Sequence, residues 1–457
     1  MARYNPGPST NPSGLTVTST GDGEVSLNWT DAYNAAAYTV YYATSQGVKK
    51  TSGTKFATTT STSAVVTGLK NDTVHYFVVT SVNSSGESSE SNEVSATPSV
   101  PGPFTQADMT GTWRFNILVS GANAGWMRGT LTVDDTGAVT FVSFLNSAGG
   151  TTAPAYLFPL LLLNPTGHAR DAVNADDAKF MGVMATRRNI LVGNMSPDSG
   201  SRMIAVLQKH DAAATFSTAG DLNGFGNAAG GARRFVYSQI SSGSVSEWEY
   251  AVGQLGQTPD VQYSTFSAPS SPVTPGSKAT RLSVTSAGIV SEANSSGSPK
   301  PTVLIPAGVM SDDKTVIVAT ATDTSSGSKY ILRIYQLINV VASDTNSLTL
   351  ADLAGAYNLN QLAVGATPLW ASSLLTLDSS GGAVFSDFLD SSGGTTPPSA
   401  MNLAIDTVPI SPSLAMPGIL TNAADATFHG KLSYFKDMVI FTRTEPGGLY
   451  SLSIVLK

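Results

Sequence analysis

The chain has 457 residues, no cysteine, 12% charged residues, 43 glycines, 24 prolines and a formal net charge of -7, a length that suits roughly two to four domains. A hydrophobic content of 41% is enough to build cores, so wholesale disorder is excluded. The missing thiols exclude disulfide scaffolds, zinc ribbons, iron–sulfur sites and cysteine nucleophiles, and the acidic balance leaves no basic footprint for nucleic acid.

The N-terminus, Met1-Ala2-Arg3-Tyr4-Asn5-Pro6-Gly7-Pro8, carries no apolar stretch of the kind that directs export. The longest apolar run, Ala155 to Leu163, is broken by Pro159 and falls far short of the roughly 20 residues a spanning helix needs, so no membrane insertion is expected. With so few charges the surface must be covered by serine, threonine, asparagine and glycine, as in extracellular β proteins. The expectation is a secreted or cell-surface chain whose export signal has been removed.

Residues 9–98 alternate apolar and polar positions with a turn every eight to twelve residues, the pattern of a β-sandwich. Leu27-Asn28-Trp29, Ala37-Tyr38-Thr39-Val40-Tyr41-Tyr42, Gly68-Leu69-Lys70-Asn71-Asp72-Thr73, the Asn83-Ser84-Ser85-Gly86-Glu87-Ser88 loop and the closing Glu93-Val94-Ser95-Ala96-Thr97-Pro98 carry a more specific signal. Together they resemble a bacterial fibronectin type III domain over about the N-terminal fifth of the chain. The resemblance implies that Trp29 is the buried core tryptophan. It also implies that the residue six past Leu69, usually a tyrosine tying down a corner between strands, is here His75, which can supply one hydrogen bond from the same place. Ser99-Val100-Pro101-Gly102-Pro103 then reads as a stiff linker, residues 99–104.

The remainder, residues 105–457, contains an internal repeat. Asp108 to Thr152 aligns without a gap on Asp352 to Thr396, with about nineteen of the forty-five positions identical. Trp126 pairs with Trp370, and Asp134 with Asp378. A degenerate middle copy opens at Asp221-Leu222-Asn223-Gly224, and its Arg281 to Val290 segment matches the strand–turn–strand at Thr130 to Val139. Tails at Gly182-Val183-Met184-Ala185, Gly308-Val309-Met310-Ser311 and Gly430-Lys431-Leu432-Ser433 complete three units, about 105–210, 211–344 and 345–457. The head-and-tail repeat resembles uncharacterised tandem modules beside fibronectin type III domains in secreted bacterial proteins, a resemblance that implies no activity.

Two-residue alternation throughout makes the chain all-β. Two four-stranded blades per unit give a six-bladed β-propeller, the preferred layout because the units abut without a linker. The alternative is three tandem small barrels or sandwiches, and the Gly111-Thr112-Trp113 opening is similar to the start of lipocalin-type barrels.

Candidate chemistry is sparse. Asp135-Thr136-Gly137 is an aspartic-protease triplet, but its repeat counterpart Ser379-Ser380-Gly381 lacks the second carboxylate, so a hairpin turn is expected. The loop from Asp221 through Asn223 has oxygen ligands at alternate positions, yet Phe225 stands where a third is wanted; a turn is favoured and calcium is the alternative cofactor. Glu247-Trp248-Glu249 places two carboxylates on one side of a strand roughly 7 Å apart, within range of a glycoside-hydrolase pair, or else as surface residues paired with Arg233 or Arg234. Trp126, Trp370 and Trp248 are candidate sugar-stacking platforms or packing residues. The reading favoured is a non-catalytic binding, adhesion or structural protein, its partner a polysaccharide, a surface protein or copies of itself. An extracellular carbohydrate-active hydrolase and a virion surface or fibre protein are the alternatives.

Overall fold

The computed structural model describes residues 9–457 except 22, 60–61, 100–101, 174–179, 217–221, 223–232, 256–259, 270–279, 295–302, 325–326, 339–347, 412–413 and 434–435. The chain divides into an N-terminal unit ending at Gly102 and a body beginning at Pro103.

In the N-terminal unit β1 (Ser13–Gly21), β2 (Glu24–Thr30) and β5 (Ser63–Val66) form one sheet. The facing sheet comprises β3 (Ala37–Ala43), β4 (Thr54–Thr59), β6 (His75–Asn83), β7 (Gly86–Glu87) and β8 (Val94–Ala96). Alternation does the sorting: Val25, Leu27 and Trp29 of β2 point into the core that Tyr38, Val40, Phe77 and Val79 close from the other sheet. Trp29 is buried and meets Tyr38 edge-on, ring centroids 5.5 Å apart. His75 is buried with Nδ1 2.8 Å from the Thr73 carbonyl, so the imidazole ties the corner down in place of a tyrosine hydroxyl.

The body holds three eight-stranded up-and-down barrels. The first follows the one-turn helix α1 (Gln106–Met109) and comprises β9 (Gly111–Gly121), β10 (Gly125–Val133), β11 (Val139–Asn146), β12 (Leu161–Leu163), β13 (His168–Asp171), β14 (Met181–Met184), β15 (Ile190–Asp198) and β16 (Ser201–His210). Its sheet closes between β11 and β12 through a bridge from Ala138 to Leu160. The second comprises β17 (Arg233–Gly243), β18 (Glu247–Leu255), β19 (Asp260–Ser267), β20 (Thr280–Val284), β21 (Ile289–Asn294), β22 (Val303–Met310), β23 (Val316–Asp323) and β24 (Lys329–Ile338). The third follows α2 (Leu350–Leu353) with β25 (Gly355–Val364), β26 (Leu369–Leu377), β27 (Gly382–Asp390), β28 (Met401–Ser411), β29 (Leu414–Asn422), β30 (Asp425–Leu432), β31 (Met438–Glu445) and β32 (Leu449–Leu456). In each, the last strand pairs with the first. Among the described residues no helix is long and apolar enough to cross a membrane.

The alternative of three small barrels is therefore the observed architecture, and the six-bladed propeller is not. Propeller blades are open sheets whose strands bury both faces. Strands near a neighbouring barrel do so here: Trp113 to Ser120 of β9 are buried without a break, whereas β11 on the far side buries only Phe144. Doubly buried strands mimicked the propeller pattern.

The middle copy also sits differently from its sequence match. Arg281 to Val290 spans β20 and β21, the fourth and fifth strands, whose counterparts are β12 and β13. The confusion has a physical origin, because the same turn occurs twice in the first barrel, before β11 and before β13. A glycine with positive φ ends each such hairpin turn and offers its carbonyl to the next strand: Gly137 to Leu161 at 2.9 Å, Gly167 to Met184 at 2.8 Å, Gly288 to Met310 at 2.9 Å and Gly381 to Leu403 at 2.8 Å. At Gly381 (φ 91°) a Cβ would come 2.0 Å from the Leu403 carbonyl oxygen, which leaves glycine alone acceptable. Asp134 and Asp378 cap the first turn of the outer barrels by accepting from Thr136 and Ser380 amides at 2.9 and 2.8 Å. Asp135-Thr136-Gly137 is thus part of a hairpin turn. Asp108 and Asp352 close capping boxes with Thr105 and Thr349 at the starts of α1 and α2.

Candidate functional site

Trp126, Trp248 and Trp370 lie at one position of the three barrels, evenly spaced 122 residues apart. Opposite them across the first strand are Leu118, Ile240 and Leu362. All three indoles point out of their own barrel into the next. Trp126 Nε1 donates to Thr322 Oγ1 of the second barrel at 2.8 Å, Trp248 Nε1 to Thr444 Oγ1 of the third at 3.1 Å, and Trp370 Nε1 to Ser196 Oγ of the first at 2.7 Å. The acceptors occupy the equivalent strands β23, β31 and β15. The hydrogen bonds therefore run in a closed circuit, and the body is a three-barrel ring with threefold pseudosymmetry.

The same circuit recurs in the packing. β10 lies against β23 and β24, β18 against β31 and β32, and β26 against β15 and β16. Leu118, Ile240, Leu362, Ile204, Leu332 and Leu452 are all fully buried on faces turned towards the neighbouring barrels. Ser242 donates to Ser120 at 2.8 Å, and Asn194 Nδ2 to Asn360 Oδ1 at 3.3 Å, between barrels. With exposures of 5%, 3% and 6%, Trp126, Trp248 and Trp370 offer no open ring face for a sugar. The expectation of stacking platforms is corrected on that ground: the rings are spent on barrel-to-barrel contact.

Glu247 and Glu249 flank Trp248 on the opposite face of β18 and point into the middle barrel, on the side shared with Ala251 and Leu255. Both carboxylates meet Lys329: Nζ donates to Glu247 Oε1 and lies 3.4 Å from Glu249 Oε1. Tyr237 donates to Glu249 Oε2 at 3.1 Å. Burial lowers the Lys329 pKa, but Glu249 and Glu247 outweigh it and the net direction is upward. Deeper along the barrel Arg333 donates from Nη1 to both Glu292 oxygens at 3.2 Å and from Nε to Gln239 at 2.7 Å, and its guanidinium lies 4.7 Å from the Tyr237 ring centroid.

Lysine thus occupies the space between the carboxylates that a glycosidic oxygen and water would need, which removes the basis for a hydrolase pair. The pairing with Arg234 is corrected too, since Arg234 sits on the outward-facing parity of β17; the Arg233 side chain lies outside the described residues. The Gln239–Glu249–Arg333 network has no counterpart at the same positions of the first barrel. Where the middle barrel has Gln239, Glu249 and Arg333, the first has Ile117, Met127 and Ala205. The third has its own network, Arg443 chelating Glu445 at 2.7 Å from both Nε and Nη2, with Ser451 donating to the same carboxylate at 2.7 Å. Lys329 and Arg333 escaped sequence reasoning. The available signal was a strand apolar on both faces, Ile331-Leu332-Arg333-Ile334-Tyr335, with charges on the inward parity.

Lys431 is a further buried cation, fully enclosed where the first and second barrels carry Val183 and Val309. Its Nζ donates to the Leu432 carbonyl, and no carboxylate pairs with it among the described residues. Burial, with added repulsion from Arg234, pulls its pKa from 10.5 down to about 7. Between those values the unfolded chain holds a proton that the folded chain does not. Stability therefore rises with pH across that window, and the cost of enclosing the lysine is greatest below pH 7. Lys431→Met is expected to be more stable than the parent by about 2–4 kcal/mol at pH 6, with the gap closing by pH 10. Urea unfolding at the two pH values measures it; a gap independent of pH contradicts the assignment.

Asp221 and Asn223, the calcium candidates, lie outside the described residues. Among the described residues no group of three or more histidine or acidic side chains is placed to hold a metal ion.

Residues 10–97 match the family model described as fibronectin type III domain, and this stretch is a fibronectin type III domain. No curated protein matches the chain. Among solved structures it is similar to an Fn3-like protein from Clostridium thermocellum, 30% identical over 20% of this chain and 92% of that one, TM-score 0.17. It is also similar to the fn3 domain of human collagen alpha-1(XX) chain, 18% identical over 23% and 99%, TM-score 0.18. A third is the isotype 1 transferrin binding protein B from Neisseria meningitidis, 8% identical over 97% and 77%, TM-score 0.20. Scores this low transfer nothing to the three-barrel body.

Proposed function

We propose that the chain is a secreted or cell-surface binding protein, non-catalytic, in which the fibronectin type III domain serves as spacer and the three-barrel ring as the binding body. The observation that supports this is the closed circuit of Trp126, Trp248 and Trp370. Three equivalent indoles lock three barrels into one rigid platform, an arrangement suited to presenting surfaces rather than to moving a lid over a reaction. The charge-poor, cysteine-free composition suits an oxidising exterior. The partners that fit are a polysaccharide or a surface protein, with self-association through the ring as a further route. Binding of the full chain to immobilised polysaccharides and to intact cells tests the proposal. Saturable retention without release of reducing sugar supports it; turnover of any glycan, or no retention on either surface, overturns it.

A further inference from the structure

The three barrel interfaces are not filled alike. One strand position, facing the next barrel and opposite Asn116, Ser238 and Asn360, holds Arg128, Tyr250 and Ser372. Arg128 fills its interface, its guanidinium 4.3 Å from the Trp126 ring centroid and its Nη1 donating to the Thr320 carbonyl at 3.1 Å. Tyr250 fills the next, stacked on His429 at 5.0 Å. Serine cannot fill the last. A cleft of about 340 Å³ remains there between β13–β14 of the first barrel and β25–β27 of the third.

Polar groups line the cleft from floor to mouth. Its buried floor has Asn360, 1% exposed, with its Nδ2 lacking a hydrogen-bond partner among the described residues while its Oδ1 accepts from Asn194; the hydroxyl of neighbouring Ser373 is already spent on the Ser386 carbonyl at 2.7 Å. An enclosed amide with an idle donor is costly unless something completes it. Asn358 and His168 line the half-buried wall; burial first, then Arg170, holds the imidazole pKa below its usual value, against an opposing hydrogen bond from Asn358. At the exposed mouth stand one cation, Arg170, and one anion, Asp387, which cancel. Asp387 is held at φ 50°, a left-handed conformation that a β-bulge in β27 imposes, so its carboxylate is placed at the expense of backbone strain.

We infer that this cleft is a binding site for a neutral, polyhydroxylated ligand, the terminal ring of a saccharide. A neutral idle amide at the floor, Asn358 and His168 on the wall and balanced charges at the mouth suit vicinal hydroxyls better than an ion, and the volume, at the small end of the roughly 300–1,000 Å³ range of ligand sites, suits one or two sugar rings. The inference deepens the binding function proposed above and rests on it.

The test is saturation-transfer NMR on the full chain with glucose, galactose, mannose and N-acetylglucosamine, alongside an array of oligosaccharides ending in each. One of these sugars is expected to bind. Asp387→Gly, which relaxes the backbone while deleting the carboxylate, is expected to weaken binding about tenfold or more. Ser372→Tyr, which installs the residue found at the equivalent position of the middle barrel, is expected to abolish it with an unchanged melting temperature. Polysaccharide binding that survives both substitutions overturns the cleft and leaves the binding function standing. Binding to a surface protein with no sugar bound does the same. Loss of every binding activity in the parent chain overturns both.

Discussion

Replacing Lys329 by methionine is expected to destabilise the body by about 3–5 kcal/mol at pH 7, because two carboxylates in the barrel interior lose their shared cation. Glu247 and Lys329 are 7% and 8% exposed, so water cannot take over the lysine's role at little cost. Adding Glu247→Gln and Glu249→Gln to Lys329→Met should restore most of the stability, as a neutral network of similar shape no longer carries buried charge. Chemical denaturation of the parent, Lys329→Met, the Glu247→Gln/Glu249→Gln pair and the combined variant in a cycle measures the coupling. A loss below about 1 kcal/mol for Lys329→Met would mean that the pair is exposed in solution.

Truncating a ring tryptophan carries a comparable cost by a different mechanism. Trp126→Ala, Trp248→Ala or Trp370→Ala each removes a buried indole and one hydrogen bond across an interface, with an expected loss of about 3–5 kcal/mol. Trp248→Phe keeps most of the buried area and loses only the donor, so about 1 kcal/mol is expected. The location of the loss matters as much as its size. In a closed ring all three barrels share the weakened interface, so calorimetry should show one body transition shifted down. A single barrel melting early in each variant would indicate separate modules.

Much of this was legible before folding, and the rest failed for identifiable reasons. The fibronectin type III domain could be read from Trp29, the Tyr38 strand and the loop at Asn83 to Ser88, because a sandwich core is specified locally by alternation and turns. The outer two repeat copies were equally clear. The middle copy's Trp248 is a candidate of the same kind as Trp126 and Trp370, but its place at the matching repeat position is masked by the acidic triplet that contains it. Its flanking glutamates serve one face of the strand and the indole the other. That Glu247 and Glu249 share a face followed from the two-residue period. That Lys329, about 80 residues later, closes over them did not, since barrel closure brings β24 beside β17 and nothing in either strand alone announces it. The cleft was invisible for a related reason: Ser372 is informative only when set beside Arg128 and Tyr250 in the correct register.

The chain's lack of cysteine makes closure of the ring directly measurable. Ala122, Ser244 and Ala366 are exposed and occupy the same turn of the three barrels. Near them Ser120 meets Ser242 at 2.8 Å, and a Cβ at Gly121 would lie 3.2 Å from Pro368. Spin labels introduced in pairs as Ala122→Cys, Ser244→Cys and Ala366→Cys should therefore give three short and similar distances by dipolar electron paramagnetic resonance. A label pair at 122 and 366 much farther apart than the other two would mean that the barrels stand in a row, and the ring would be refuted.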